Sequence, residues 1–255
     1  MARLNMFFLH GFMGRPADWE PVRAELIRHD KYLIKVPDYF KIDSLSSSQS
    51  FSRWAQNFNK WVEQEVGGIG QNVLVGYSLG GRLALHALEQ NSNLWAKVVL
   101  MSVNPGFTDG HESFTPDSEE RGKRWLNDSY WAQQFLTGSW ENVVQSWNSQ
   151  PVFSGGGVEP VRIEKDYSRD HLSLALTQWS LAEQKDLRPV IKENAKKILW
   201  LAGEKDEKFA DLTAQLKKEI PHLDVSLVPE ASHRVLFDQP AKIATKIRSF
   251  LHKFS

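Results

Sequence analysis

With 255 residues, 41% of them hydrophobic and 24% charged, the chain has enough apolar material for a large core and falls in the size range of a single α/β domain. Its 31 Lys and Arg balance 31 Asp and Glu, and no basic block exceeds a few residues, which argues against nucleic acid or an anionic membrane surface and for a small-molecule partner. Cysteine is absent, so disulfides, thiol nucleophiles and thiolate-bound metals are excluded together, and a cytoplasmic setting is expected.

The opening MARLNMFFLHGF enters an apolar run too short for a secretion signal or a membrane span, and Leu4 to Leu9 reads as a first strand. A helical period follows in ADWEPVRAELIRH, then a strand in YLIKV, a polar loop in SLSSSQS and a helix in FSRWAQNFNKWVEQEV. Next come the strand NVLVGY, the helix SLGGRLALHALEQ and the strand KVVLMSV. The alternation resumes late, with the strand KILWLAG, the helix KFADLTAQLKKEI, the strand LDVSLV and the helix PAKIATKIRSFLHKF. Strands this continuously apolar are covered on both faces, so the expected fold is a doubly wound, mostly parallel α/β sheet.

Between residues 107 and 190 the pattern holds only helical pieces, such as SEERGKRWLNDSYWAQQFL and SLALTQWSLAEQ, rich in Trp and Phe. This stretch is expected to be a helical cap inserted between late strands, with residues 1–106 and 191–255 forming the core. Ligands bind at the carboxyl ends of the strands in such sheets, so an insert leaving a strand end is placed to roof the site. Most of its aromatics are expected to fill the cap's own core.

The stretch GYSLG places Ser78 between the strand NVLV and a helix, the context in which G-x-S-x-G acts as a nucleophile elbow. A sharp turn there needs small residues at Gly76 and Gly80, and it lifts the serine hydroxyl to a helix N-terminus, where unpaired N–H groups favour developing negative charge. Such a serine needs a base and an acid, following in the order Ser, acid, His. Asp206 follows the strand KILWLAG, and His233 follows the last predicted strand by a short loop. Glu204 falls too early and Asp211 already lies on a helix; His252 sits on the final helix and His222 precedes its strand at the wrong edge. The loop FFLHGFMG, after the first strand, offers Phe12 N–H to pair with Leu79 N–H as an oxyanion hole. His10 reads as a packed brace for that loop. Arg82, four residues after Ser78 on the same helical face, should lean back toward the serine, and its planar fork suits a carboxylate.

Together HGF, GYSLGG, an acid after the penultimate strand and a late His resemble the α/β-hydrolase superfamily over the whole chain. HGFMG, VGYSLGGRLAL, EERGKRWLNDSYWAQQF, WNSQPVF and GEKDEKF are similar to one member family, the 2-succinyl-6-hydroxy-2,4-cyclohexadiene-1-carboxylate (SHCHC) synthases of menaquinone biosynthesis. The resemblance implies a cofactor-free lyase in which the serine removes a proton from a polycarboxylate and pyruvate is eliminated. It further implies substrate-binding roles for Tyr77, Arg124 and Trp147 beside Arg82; on its residue pattern alone, Arg124 is a solvated helix charge.

The chain departs from the family pattern in KVPDYFKID, where many relatives have DLPGHG, and in Ser232, where they have Gly before the histidine. A further cap arginine of the family finds only Lys165 or Arg169. The competing reading is a serine hydrolase acting on an ester or a carbon–carbon bond with the same three residues. A non-catalytic binding protein of this fold is disfavoured because all three are kept. Metal ligands are not expected at the site, and the sequence leaves oligomeric state open, with nothing against a monomer.

Overall fold

A computed structural model describes residues 4–28, 32–47, 49–113, 115 and 118–253; His29 and Phe254, the last residues of two predicted helices, lie outside these. Six strands form one parallel sheet in the order β2-β1-β3-β4-β5-β6. They are β1 (Leu4–Leu9), β2 (Tyr32–Lys35), β3 (Gln71–Tyr77), β4 (Lys97–Met101), β5 (Ile198–Gly203) and β6 (Asp224–Val228). Each coincides with a predicted run: β1 matches it, β3 gains Gln71, and the other four are shorter by one or two residues. Alternate residues serve opposite faces: Phe7, Leu74, Leu100 and Trp200 enter one core, and Phe8, Val75, Met101 and Leu201 the other. Both sets are fully buried, as a parallel sheet covered on both sides requires.

The helices are α1 (Glu20–Ile27), α2 (Phe51–Val66), α3 (Leu79–Gln90), α4 (Glu119–Thr137), α5 (Trp140–Asn148), α6 (Arg169–Gln178), α7 (Arg188–Glu193), α8 (Glu207–Glu219), α9 (Val235–Asp238) and α10 (Pro240–His252). The first predicted helix opens as a 3-10 turn, Pro16–Trp19, before α1. In α2 the spacing of Phe51, Trp54, Ala55, Phe58 and Val62 makes one buried stripe; the Ser50 hydroxyl caps its start, and Gly67 ends it in the left-handed conformation. Within that stripe Trp54 and Phe58 stack on each other, and Phe58 stacks on Trp95. Helices α2 and α3 cover one face of the sheet, α1 and α10 the other. Among the described residues, 107–190 contain no strand, and α4 packs on α6 to make a helical cap. No described helix is long and apolar enough to cross a membrane.

Helix α3 reaches the sheet closely because side chains are missing where it crosses. A Cβ on Gly80 would come within 2.4 Å of the Leu9 and His10 carbonyl oxygens, and one on Gly76 within 2.6 Å of Gly81 Cα. Backbone cannot yield as a side-chain tip can. Gly80→Ala is therefore expected to cost roughly 1–3 kcal/mol as overpacking. Gly122, inside α4 with nothing near its missing Cβ, is the control: Gly122→Ala should gain about 0.5–1 kcal/mol from helix propensity alone. Urea unfolding of the two variants should shift in opposite directions.

His10 is wholly buried against Tyr39, their rings stacked at 4.0 Å, and its Nδ1 lies 3.0 Å from Gly11 O. Burial lowers its pKa from 6.5 to about 4. The unfolded chain then takes up a proton below about 6.5 that the folded chain refuses until about 4, so stability falls as pH falls through that window. The loss should be roughly 3 kcal/mol across it. Urea unfolding at pH 6.5 and 4.5 should show a shallower loss in His10→Gln than in wild type, by about 1.4 kcal/mol per pH unit.

Candidate active site

Three strand ends meet at one edge of the sheet. Ser78 follows β3 with φ 52° and ψ −115°, a conformation a side chain rarely adopts, and its N–H donates to Met101 O at 2.9 Å. Ser102, after β4, repeats the device, with φ 52° and its N–H on Leu201 O. The Ser102 hydroxyl then donates to His233 O at 3.2 Å, which ties the histidine loop to the neighbouring strand. Residue patterns gave no sign of this second elbow.

His233 Nε2 lies 3.3 Å from Ser78 Oγ, and His233 Nδ1 lies 2.7 Å from Asp206 Oδ2. Asp206 also caps α8 by accepting from Phe209 N–H, which fixes the carboxylate on the far side of the ring. Phe209, Phe153 and Tyr77 surround the imidazole at 4.8, 5.8 and 6.0 Å between ring centres. Both His233 and Asp206 are about 95% buried, so water competes little with their bond. The rivals fall elsewhere: Glu204 accepts from Glu230 N–H, and Asp211 is on α8. Ser232 fits where relatives carry Gly because its hydroxyl and N–H both donate to Asp238 Oδ2, at 2.6 and 2.8 Å.

Phe12 and Leu79 N–H groups have no backbone acceptor among the described residues. The loop carrying Phe12 is held by the divergent segment PDYF: Tyr39, fully buried, donates its hydroxyl to His10 O at 2.6 Å. His10 thus braces the loop, and no bond from its ring to Ser78 exists.

A cavity of about 680 Å³ opens over Ser78, within the range of small-molecule sites. Ser78, His233, Asp206, Phe12, Leu79, Arg82, Arg124 and Trp147 all line it. Arg82 reaches it without touching the serine hydroxyl; its guanidinium sits 5.6 Å from the Phe51 ring centre and donates to Gln184 Oε1 at 3.4 Å. No described carboxylate lies within ion-pair distance of it, and burial followed by the Arg124 charge lowers its pKa to about 9, leaving it charged at neutral pH. Arg124 donates Nε–H to buried Asp128 at 2.7 Å, and Ser180 donates to the same carboxylate oxygen. The rest of the Arg124 fork has no described partner. Trp147 serves cap core and cavity wall at once, 4.7 Å from the Phe12 ring and 5.1 Å from that of Trp131.

Tyr77 lies elsewhere, buried against Gly11 and lining a small chamber beside the serine. Burial holds its hydroxyl well above the usual phenol range, and the Arg234 charge opposes that shift most. Neither candidate for the further cap arginine reaches the cavity. Arg169 closes the end of α4 by donating to the Phe135 and Gly138 carbonyls, and Lys165 lines a separate cleft. Lys208 lines the cavity instead, pushed below the ordinary lysine range by partial burial and by Arg124. It stands two residues after Asp206 in GEKDEKF, where the first turn of α8 faces the site.

The chain is 28% identical to the 2-succinyl-6-hydroxy-2,4-cyclohexadiene-1-carboxylate synthase of Escherichia coli strain K12, over 96% of this chain and 93% of that protein. The structure of MenH from S. aureus superposes with a TM-score of 0.83 at 23% identity, covering 99% of this chain and 95% of that one. A thermophilic esterase from Thermogutta terrifontis, solved with malate bound, follows at 0.65 and 18%, covering 99% and 90%. These two likenesses show a shared fold. The alpha/beta hydrolase family model matches residues 6–246, nearly the whole chain, and with the six-stranded parallel sheet and its helical cap this shows that the chain belongs to the alpha/beta hydrolase family.

Proposed function

We propose that this protein is a 2-succinyl-6-hydroxy-2,4-cyclohexadiene-1-carboxylate synthase, a lyase that eliminates pyruvate from a polycarboxylate. The observation that carries this reading is Arg82, a charged fork without a carboxylate partner among the described residues, in the cavity that holds Ser78. A partly buried cation left unneutralised is costly, and a substrate carboxylate relieves the cost. A neutral ester gives Arg82 nothing to bind. The full-length similarity to the E. coli synthase supports the same choice.

In this mechanism His233, held in one tautomer by Asp206, takes the Ser78 proton, and the serine oxygen draws a proton from a substrate carbon activated by its neighbouring carboxylate or carbonyl. The electron pair released from that C–H bond moves through the substrate and breaks the bond to the pyruvyl group. Phe12 and Leu79 N–H groups hold the oxygen on which negative charge gathers. The departing pyruvyl group takes back a proton from His233, so serine and imidazole return to their starting states. Arg82 and Arg124 grip carboxylates, Trp147 supplies an apolar wall, and Lys208 adds charge at the same cavity. A chain without cysteine suits a reducing compartment, and we place this chemistry in the cytoplasm.

Ser78→Ala should lower kcat for pyruvate release by roughly 10³-fold or more with the unfolding midpoint preserved, because the three groups act as a unit. Near-normal turnover by the folded variant would remove the serine from the mechanism.

Arg82→Lys keeps a charge and loses the two-pronged geometry. Its kcat/KM should fall roughly ten- to a hundredfold on the anionic substrate and change little on a neutral aryl ester, measured on one preparation at fixed ionic strength. Equal losses on both would favour the serine hydrolase, which uses the same three residues on a carbonyl.

A further inference from the structure

Behind Ser78 lies a second, smaller compartment of about 70 Å³. It shares Phe12, Ser78, Trp147, Phe153 and His233 with the large cavity, so the two meet at the serine and the imidazole. Two arginines line it. Arg162 is neutralised, with both prongs on Asp18 at 2.9 and 2.8 Å. Arg234 is different: it is 6% exposed, donates to the uncharged Asn148 Oδ1 at 2.7 Å and lies 4.4 Å over the Phe153 ring, with no carboxylate in ion-pair range among the described residues. The compartment, which Ser78 also lines, therefore carries one positive charge without a described carboxylate partner.

Its size limits the ligand. On the same measure it is about a tenth the size of the large cavity, room for a ligand of a few heavy atoms. A cyclic polycarboxylate is far too large, and a three-carbon 2-oxo acid fits. We propose that this compartment is a subsite for a small monocarboxylate, with Arg234 binding its carboxylate, and that in the elimination it receives pyruvate while the ring product stays with Arg82 and Arg124 in the large cavity. The assignment to pyruvate rests on the synthase reading; the carboxylate site itself rests on Arg234 and the compartment.

Pyruvate binding is measured by ligand-observed NMR titration, which needs no turnover, on wild type, Arg234→Gln and Arg82→Lys. Arg234→Gln is expected to weaken pyruvate roughly ten- to a hundredfold, the value of a charge-assisted bond, and to leave affinity for the ring product within twofold. Arg82→Lys should do the reverse. In wild type, pyruvate should bind as well in the presence of saturating ring product as in its absence, a readout that stands even where Arg234→Gln does not fold. Equal pyruvate affinity in wild type and folded Arg234→Gln, or full competition between pyruvate and ring product, would overturn the subsite. Arg234-dependent binding by an enzyme that releases no pyruvate from the synthase substrate would sink the synthase reading and leave the subsite standing. Release without Arg234-dependent binding would do the opposite.

Discussion

The site depends on how closely α3 approaches the sheet. Its first turn lies against the carbonyls that end β1, and this contact simultaneously sets the position of Ser78 and the path of the loop bearing Phe12. Ser78 is held at a positive φ that costs of order 1–3 kcal/mol, an expense tolerated because the bond to Met101 O and the packing of α3 over-determine the turn. Leu79 and Phe12, 67 residues apart in sequence, are thereby both brought to the wall of the cavity over Ser78.

Charge is arranged on the same frame. The chain is neutral overall, yet the large cavity keeps Arg82 and Lys208 without described carboxylate partners. The stretch EERGKR shows how adjacent turns of one helix divide the labour. Arg121 is fully buried and spends its donors on Asp109 and on the Ala182, Gln184 and His111 carbonyls, so it fastens α4 to the chain leading back to the core. Arg124, one turn later, gives only its Nε–H to Asp128 and keeps its fork at the cavity. Gln184 links the two systems, accepting from Arg121 through its main chain and from Arg82 through its side chain, while its amide donates to Asn104 O. Displacing the cap thus moves the acceptor that steadies Arg82.

What could be read from the sequence was what repeats locally. Continuous apolar runs marked all six strands, and the placement of Ser78, Asp206 and His233 after three of them was enough to bring these side chains together, since a parallel sheet puts every such end on one edge. What could not be read depends on how the cap folds back. Arg169 and Lys165 were candidates by position in the chain, but the carbonyls ending α4 capture Arg169. Lys208 and Arg234 stood beside residues already singled out, and no period or motif marks a single cation as facing a cavity. Tyr39 belongs to a segment that departs from the family pattern; its role exists only because β2 delivers it against His10.

The Phe12 loop is the point at which cap and core become one mechanical unit. On the core side it is fixed by the Tyr39 hydroxyl and the stacked His10. On the cap side the Phe12 ring packs edge-on against Phe135 of α4 at 5.2 Å and against Trp147 of α5 at 4.7 Å. Close-packed aromatics do not deform continuously, so any displacement of α5 would move Phe12 rather than be absorbed. That same residue lines the cavity over Ser78. The aromatic cap wall therefore has two tasks: Phe135 and Trp147 pack in the cap and at the same time fix the ring of Phe12, a residue that lines the cavity with Ser78.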